Sequence, residues 1–344
     1  MRKMLANNQS GFVLILTLWV LGFLTVLALA VGLGSRQKIA LLERLEDRSR
    51  LHLAAEAGAK KALAALIDDL EDSQFVLTPQ AKAHRQNAPS EFFGIPVGEN
   101  TFRISYDTYD ERSGALVERY GLADEQSKFS LNTVDRDTLA RLLGDVLGLT
   151  TDDARRQAEA IIDWRDFGQH ETEGFFSDDY YKNLEFPYDM KDHPFERIDE
   201  LLLVKGMDSG KYAALLPYVT VWGDGRVNIN TASQKVLVAL GLEPAVADKI
   251  LKVRRGQDGI EATADDHVFT RTFDIASEVK AVITLEDREA HEIDALNARN
   301  LLSTDSFVYS ARSRVSGPDG KTTSAEVRVV FDALANKIVY WYEK

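Results

Sequence analysis

Cysteine is absent from all 344 residues. Disulfide staples, thiolate nucleophiles and cysteine-ligated zinc are therefore excluded, which leaves packing or hard metal ions to close long loops. Histidine is scarce, with six scattered residues, and HETEG (170–174) lacks the second histidine of an H-E-x-x-H zinc helix. A phosphate-binding P-loop and a G-x-S-x-G nucleophile elbow are both missing, and the GLG at 32–34 ends an apolar run rather than opening a βα turn. Nothing in this inventory supports catalysis, so the chain reads as a non-enzyme. Positive charge is also in deficit: 41 Lys and Arg stand against 54 Asp and Glu, a net −13. Basic clusters are no longer than pairs such as Lys60-Lys61 and Arg254-Arg255, which argues against nucleic acid as a partner.

What is present begins near the N-terminus. After the polar leader MRKMLANNQS comes GFVLILTLWVLGFLTVLALAVGLG (11–34), in which 23 residues from Phe12 to Gly34 carry no charge and only Thr17 and Thr25 carry hydroxyls. At about 1.5 Å rise per residue such a helix spans the roughly 30 Å core of a bilayer. A secretory signal would have a shorter apolar region ending in an A-x-A-like site. Here the distinctive junction, Gly11-Phe12, precedes the run. Arg2 and Lys3 lie before the span and Arg36 and Lys38 after it, so flanking charge does not fix orientation.

This N-terminus resembles the class III signal of type IV prepilins and pseudopilins. The resemblance implies that a prepilin peptidase cuts after Gly11 and methylates Phe12, and that the span stays in the inner membrane. It also implies a cytoplasmic N-terminus and a periplasmic body. Losing Arg2 and Lys3 with the leader takes the net charge from −13 to −15. The family's usual glutamate at the fifth mature position is replaced here by Leu16. That carboxylate is understood to meet the N-terminal amine of the subunit above, so Leu16 points to a tip position with nothing above it. Residues 1–34 alone also fit an ordinary signal-anchor helix.

Residues 35–70 lack proline and repeat leucine at three- and four-residue spacing, which predicts that the helix continues. Residues 71–99, with Pro79, Pro89 and Pro96, read as a polar loop. Strand-like runs follow at 101–109 and 115–123, then at 306–315, 322–333 and 337–342, the last three as antiparallel hairpins. The predicted class is α+β: a pilin-like N-terminal helix on an antiparallel sheet, with a large helix-rich insertion. The expected boundaries are a leader (1–11), a span (12–34), a pilin-like helix with first strands (35–126), an insertion (127–300) and final strands (301–344).

The insertion carries an internal repeat. KFSLNTVDRDTLARLLG (128–144) answers RVNINTASQKVLVALG (226–241), with Asn132-Thr133 matching Asn230-Thr231 at an offset of 98. Two modules are expected, about 127–222 and 226–300, with Thr231 and Gln234 forming a capping box at a helix start. Each resembles a helix-hairpin-helix (SAM-like) unit of the kind found in competence-type DNA receptors. In both modules the hairpin glycine pattern is incomplete, and Asp152 and Asp153 stand where a phosphate contact would want positive charge.

The loop DWRDFGQHETEGFFSDDYY (163–181) gathers Asp163, Asp166, Glu171, Glu173, Asp178 and Asp179, a hard oxygen set suited to calcium, although its spacing is not that of an EF-hand. A solvated acidic loop is the alternative. A weaker candidate is DGIEATADD (258–266), with Asp258, Asp265 and Asp266.

The junction without its glutamate, DWRD with the tyrosine pair, PFERIDELLLVKGM, VNINTA and the closing VYWYEK together resemble the protein K family of type II secretion, the large minor pseudopilins. The resemblance covers nearly the whole chain. It implies a tip subunit that starts or caps the pseudopilus with the smaller minor pseudopilins I and J, above the shaft subunits. Two rivals share parts of the pattern: a minor pilin of a type IV pilus, and a membrane-anchored helix-hairpin-helix DNA receptor.

Overall fold

The computed structural model describes residues 9–72, 78–110, 113–166, 178–316 and 323–344. The chain divides into two compact units, Met1–Leu53 and Ala54–Lys344.

Helix α1, Gln9–Asp72, supplies the described part of the first unit. With no proline in its 64 residues, nothing interrupts its hydrogen-bond ladder. Within it, Gly11–Ala30 is long and apolar enough to cross a membrane. Thr17 and Thr25 donate their hydroxyls back to the carbonyl oxygens of Leu14 and Leu21 at 2.8 and 2.6 Å. Neither hydroxyl is left unpaired in an apolar surround, which fits single-pass anchoring.

In the second unit α1 buries a small-residue face, Ala54, Ala55, Ala59, Ala62 and Leu66. Gly58 lies on the same face, and Ser313 and Phe102 crowd it so closely that a Cβ there would sit 2.1 Å from Ser313 Oγ and 2.8 Å from the Phe102 ring. Helices α2 (Pro79–Gln86) and α3 (Pro89–Phe92) follow. This corrects the polar-loop expectation for 71–99. Pro79 and Pro89 open these helices at first-turn positions, where the missing N–H has no helical partner to lose. Thr78 caps α2 by accepting from the Ala81 N–H at 3.1 Å.

Strands β1 (Ile95–Val97), β2 (Asn100–Asp110), β3 (Ala115–Arg119) and β4 (Ala123–Asp124) come next. The helical block then runs through β5 (Phe129–Ser130), α4 (Arg136–Leu147), α5 (Thr151–Arg165), α6 (Asp178–Lys182), α7 (Ser209–Leu215) and β6 (Val219–Thr220). A second pass comprises β7 (Val227–Asn228), α8 (Gln234–Leu240), α9 (Pro244–Arg254), α10 (Ile275–Val282), α11 (Asp287–Ala298) and β8 (Leu302–Ser303). Strands β9 (Val308–Ser316), β10 (Thr323–Asp332) and β11 (Lys337–Glu343) close the chain.

The main sheet is antiparallel with order β1-β2-β9-β10-β11; β3 pairs with β2, and β4 with β9. Thr101 faces Ser316 and Ala123 faces Ser310, so strands from before and after the helical block share one sheet. Period-2 alternation explains the two faces: β9 buries Ala311, Ser313 and Val315 while Arg312 and Arg314 stay half-buried on the other side. The single strand expected over 115–123 is instead two. At Gly121 a Cβ would lie 2.3 Å from the Arg85 carbonyl oxygen, and Leu122 N donates to that same oxygen at 2.7 Å. The end of α2 crosses there and breaks the pairing.

The repeat is visible bond for bond. Phe129 and Leu131 donate their N–H groups to Tyr218 and Thr220 oxygens at 2.9 and 2.7 Å; Val227 and Ile229 donate to Leu301 and Ser303 at 2.8 and 2.9 Å. Asn132 donates to the Phe195 and Val221 carbonyls at 2.9 and 3.0 Å and accepts from Phe195 N at 2.7 Å. Asn230 donates to the Phe269 and Thr304 carbonyls at 2.8 and 2.9 Å and accepts from Phe269 N at 2.8 Å. Each asparagine therefore clamps the Phe-containing segment and returning strand of its own module. The helix starts differ from expectation. The caps are Asp135 and Ser233, and the Thr231–Gln234 capping box does not form. Thr231 instead donates its hydroxyl to Asp124 at 2.6 Å.

Candidate functional site

Gly11, Phe12 and Leu16 lie in the opening turns of α1, with the Phe12 and Leu16 side chains exposed. Around Gly11 nothing lies within 4 Å of where a Cβ would stand. Most of the leader, residues 1–8, falls outside the described residues.

The six carboxylates expected to bind calcium are only partly described. Asp163 is buried near the end of α5, and Asp166 follows as its cap, ion-paired with Arg165 at 3.1 Å. Glu171 and Glu173 lie outside the described residues, and Asp178 and Asp179 open α6 with side chains that also lie outside them. The aromatics at the loop's exit pack inward. Tyr181 is buried with its ring 5.5 Å from Trp164 and 5.4 Å from Tyr188, and its hydroxyl accepts from Lys205 N at 3.2 Å. Burial, only partly offset by that hydrogen bond, pushes the Tyr181 phenol up to about 12. Among the described residues no group of three or more His, Asp or Glu side chains is arranged to hold a metal ion.

The 258–266 loop is held by protein donors. Asp258 accepts from Ile260 N at 2.7 Å. Asp265 accepts from the Thr263 hydroxyl and from the N–H groups of Asp258 and Gln257, which hold its carboxyl down at about 2. Asp266 accepts from Ala262 N at 2.9 Å and from Lys82 Nζ at 2.6 Å, both ends of that ion pair being fully buried. Glu261 lies 3.5 Å from the same Lys82 nitrogen and accepts from Arg254 and Arg255. Burial opposes its charge, yet Arg254, Lys82 and Arg255 outweigh that and hold the Glu261 carboxyl down at about 2. Arg254 also donates to the Ile229 and Ala232 carbonyls at 2.8 and 2.7 Å. This network fastens α2 to the second module. Sequence pattern gave no signal for it, because Lys82 reads as an ordinary polar residue beside Pro79.

A second unexpected node is Asp124. It accepts from Gln126 N, Asn228, Thr231 and Ser306 at 2.6–2.9 Å, and burial nevertheless pushes its carboxyl up. It ties β4 to the start of the second module. At the other module, Asp152 and Asp153 occupy the first turn of α5, and Thr150 caps it. The partial positive end of this helix is thus already met by the chain's own carboxylates.

Against this geometry, relatives are informative. A family model described as type II secretion system (T2SS), protein K, matches residues 115–224. Type II secretion system protein K of Pseudomonas aeruginosa is 27% identical over 274 residues, covering 75% of this chain and 76% of that protein. Its namesake from Pectobacterium carotovorum subsp. carotovorum is 31% identical over 148 residues, covering 42% and 44%.

By these matches the chain is similar to the type II secretion protein K family.

A solved chain from the GspK-GspI-GspJ complex of enterotoxigenic Escherichia coli shares the fold, with TM-score 0.62 at 18% identity, over 89% of this chain and 99% of that one. The protein K fold therefore accounts for the mixed helix-and-sheet architecture, and the chain is a minor pseudopilin of type II secretion.

Proposed function

We propose that this minor pseudopilin sits at the tip of the pseudopilus, where it starts or caps assembly with the minor pseudopilins I and J for protein export across the outer membrane. The observation that carries this reading is the helical block inserted between β4 and β9, two neighbouring strands of the sheet. A body enlarged in that way favours an end position over a repeating one. Leu16 agrees, since a terminal subunit needs no carboxylate for an amine above it. The span holds the chain in the inner membrane, with the N-terminus in the cytoplasm and the body in the periplasm. The relative solved with GspI and GspJ supports those two partners. Leu41, Leu42, Leu45 and Leu53 are exposed on the first unit's helix and form the partner-facing stripe.

Co-expression with I and J in membranes, followed by detergent purification, should recover three chains together, with Phe12 as the N-terminal residue of this one. Leu45→Asp should lower that recovery severalfold by placing a charge in a packed helix face. An intact Met1, or undiminished recovery of the Asp variant, would refute the proposal.

We further propose calcium at 163–181. Asp163 is buried and Trp164 packs on Tyr181, and an ion held by Asp163, Asp166, Glu171, Glu173, Asp178 and Asp179 would neutralise the repulsion among these carboxylates. Chelation should lower the Tm of the full chain; calcium at a hundredfold excess over its Kd should restore about 2.7 kcal/mol of stability, and magnesium at the same concentration less. An unchanged Tm would identify a solvated loop.

A further inference from the structure

Helix α2 is only eight residues long, yet it contacts three parts of the second unit through charged side chains. Lys82 reaches the second module through Asp266 and Glu261. Arg85 donates to the Tyr309 hydroxyl of β9 at 3.3 Å and lies 3.4 Å from Asp69 of α1. Between these two residues, His84 is enclosed by carboxylates: its Nδ1 is 2.9 Å from both Asp69 oxygens, and its Nε2 contacts Glu91 of α3. Lys61 of α1 meets the other Glu91 oxygen at 3.2 Å, and the Phe92 ring lies 5.9 Å from the imidazole.

We propose that His84 is the titratable catch of a latch by which α2 and α3 grip the end of α1, closed when the imidazole is protonated and loosened when it is neutral.

The argument rests on donor count. A neutral imidazole has one N–H and one lone pair, whereas the imidazolium has two N–H groups. Here both ring nitrogens face carboxylates, which only accept. The neutral ring can satisfy one carboxylate, and its lone pair must then face the other. Lys61 and Arg85 share the two carboxylates and moderate the effect, but neither can occupy the ring's position between them. The side chain is about a third exposed, so solvent screens part of the interaction. Burial opposes charge on His84, and the hydrogen bonds to Asp69 and Glu91 outweigh it, raising the imidazole above its usual 6.5. A raised folded value makes the contribution complete below about pH 6.5, and it is lost as pH climbs through that raised value. Where the chain assembles as proposed above, the latch sets how firmly the second unit holds its own stretch of α1, from Ala54 to Asp72. The titration itself is independent of that reading.

The test uses the full chain in detergent with labelled histidine. The His84 ring should titrate above 6.5, and the double variant Asp69→Asn/Glu91→Gln should bring its midpoint down, because both acceptors of the imidazolium N–H groups lose their charge. Between pH 6 and pH 8 the wild-type Tm should fall further than that of His84→Gln. Amide exchange corrected for intrinsic rate should rise in α2 and α3 over the same range, while β9 and β10 stay protected. A His84 midpoint at or below 6.5, or a wild-type pH profile parallel to that of His84→Gln, would overturn the proposal. Should His84→Gln not fold, the midpoint shift in the carboxylate variant decides alone.

Discussion

Asn230→Ala should destabilise the protein by about 3–5 kcal/mol, because it leaves three backbone groups without partners at roughly 1–3 kcal/mol each, partly relieved by relaxation. Asn230 is fully buried, so water cannot replace its amide at the Phe269 and Thr304 carbonyls or at the Phe269 N–H. Asn132 makes the equivalent three bonds from a half-buried position, and its alanine variant should cost less. Asn230→Asp keeps the shape but turns an acceptor toward two carbonyl oxygens, so it should be no better than alanine. Thermal unfolding of the full chain in detergent, followed by far-ultraviolet circular dichroism, provides the ranking. Equal effects at 132 and 230, or a tolerated aspartate, would show that these side chains do not clamp the modules.

Gly58→Ala should destabilise by about 1–3 kcal/mol, although helix propensity alone predicts a gain of up to about 1 kcal/mol over glycine. From sequence the substitution would be tolerated if no neighbour approached. The structure overturns that condition, since Ser313 and Phe102 both lie within contact distance of the new methyl group. Rotation of Ser313 can move its hydroxyl, but its Cβ remains 3.1 Å away and the Phe102 ring 2.8 Å. Ser313→Gly in the Gly58→Ala background should recover part of the loss, a coupling that a double-mutant cycle measures. If Gly58→Ala raises the Tm, the close approach of helix and sheet is wrong.

Legibility in the sequence followed physical range. The apolar span, the long helix and the alternating strands could be read because each is a local, periodic pattern. The offset of 98 between modules was visible because the same local devices recur. The asparagines stood out only as matched positions of the repeat, and nothing local showed that they reach 39 to 89 residues along the chain to backbone groups. Pro79 and Pro89 misled because proline both breaks helices and begins them, and the choice rests on its neighbours. The Lys82, Asp124 and His84 contacts were not legible at all. Their partners are distant in sequence, or, like Asp69, offset by spacings that no regular element imposes.

The pairing of β4 with β9 has a consequence for how this chain folds. Ala123 and Asp124 lie beside Ser310 and Tyr309, so the whole helical block occupies the position of a hairpin turn. An unfolded connection of that length must be closed before the strands can meet, and closure entropy grows as the logarithm of its length. Once the modules have collapsed, each using its own asparagine clamp, the distance between the two strand ends is already set. Topology therefore favours one order of events: the modules are expected to form first from comparatively local contacts, and the sheet to zip last, across a gap that the folded modules have closed.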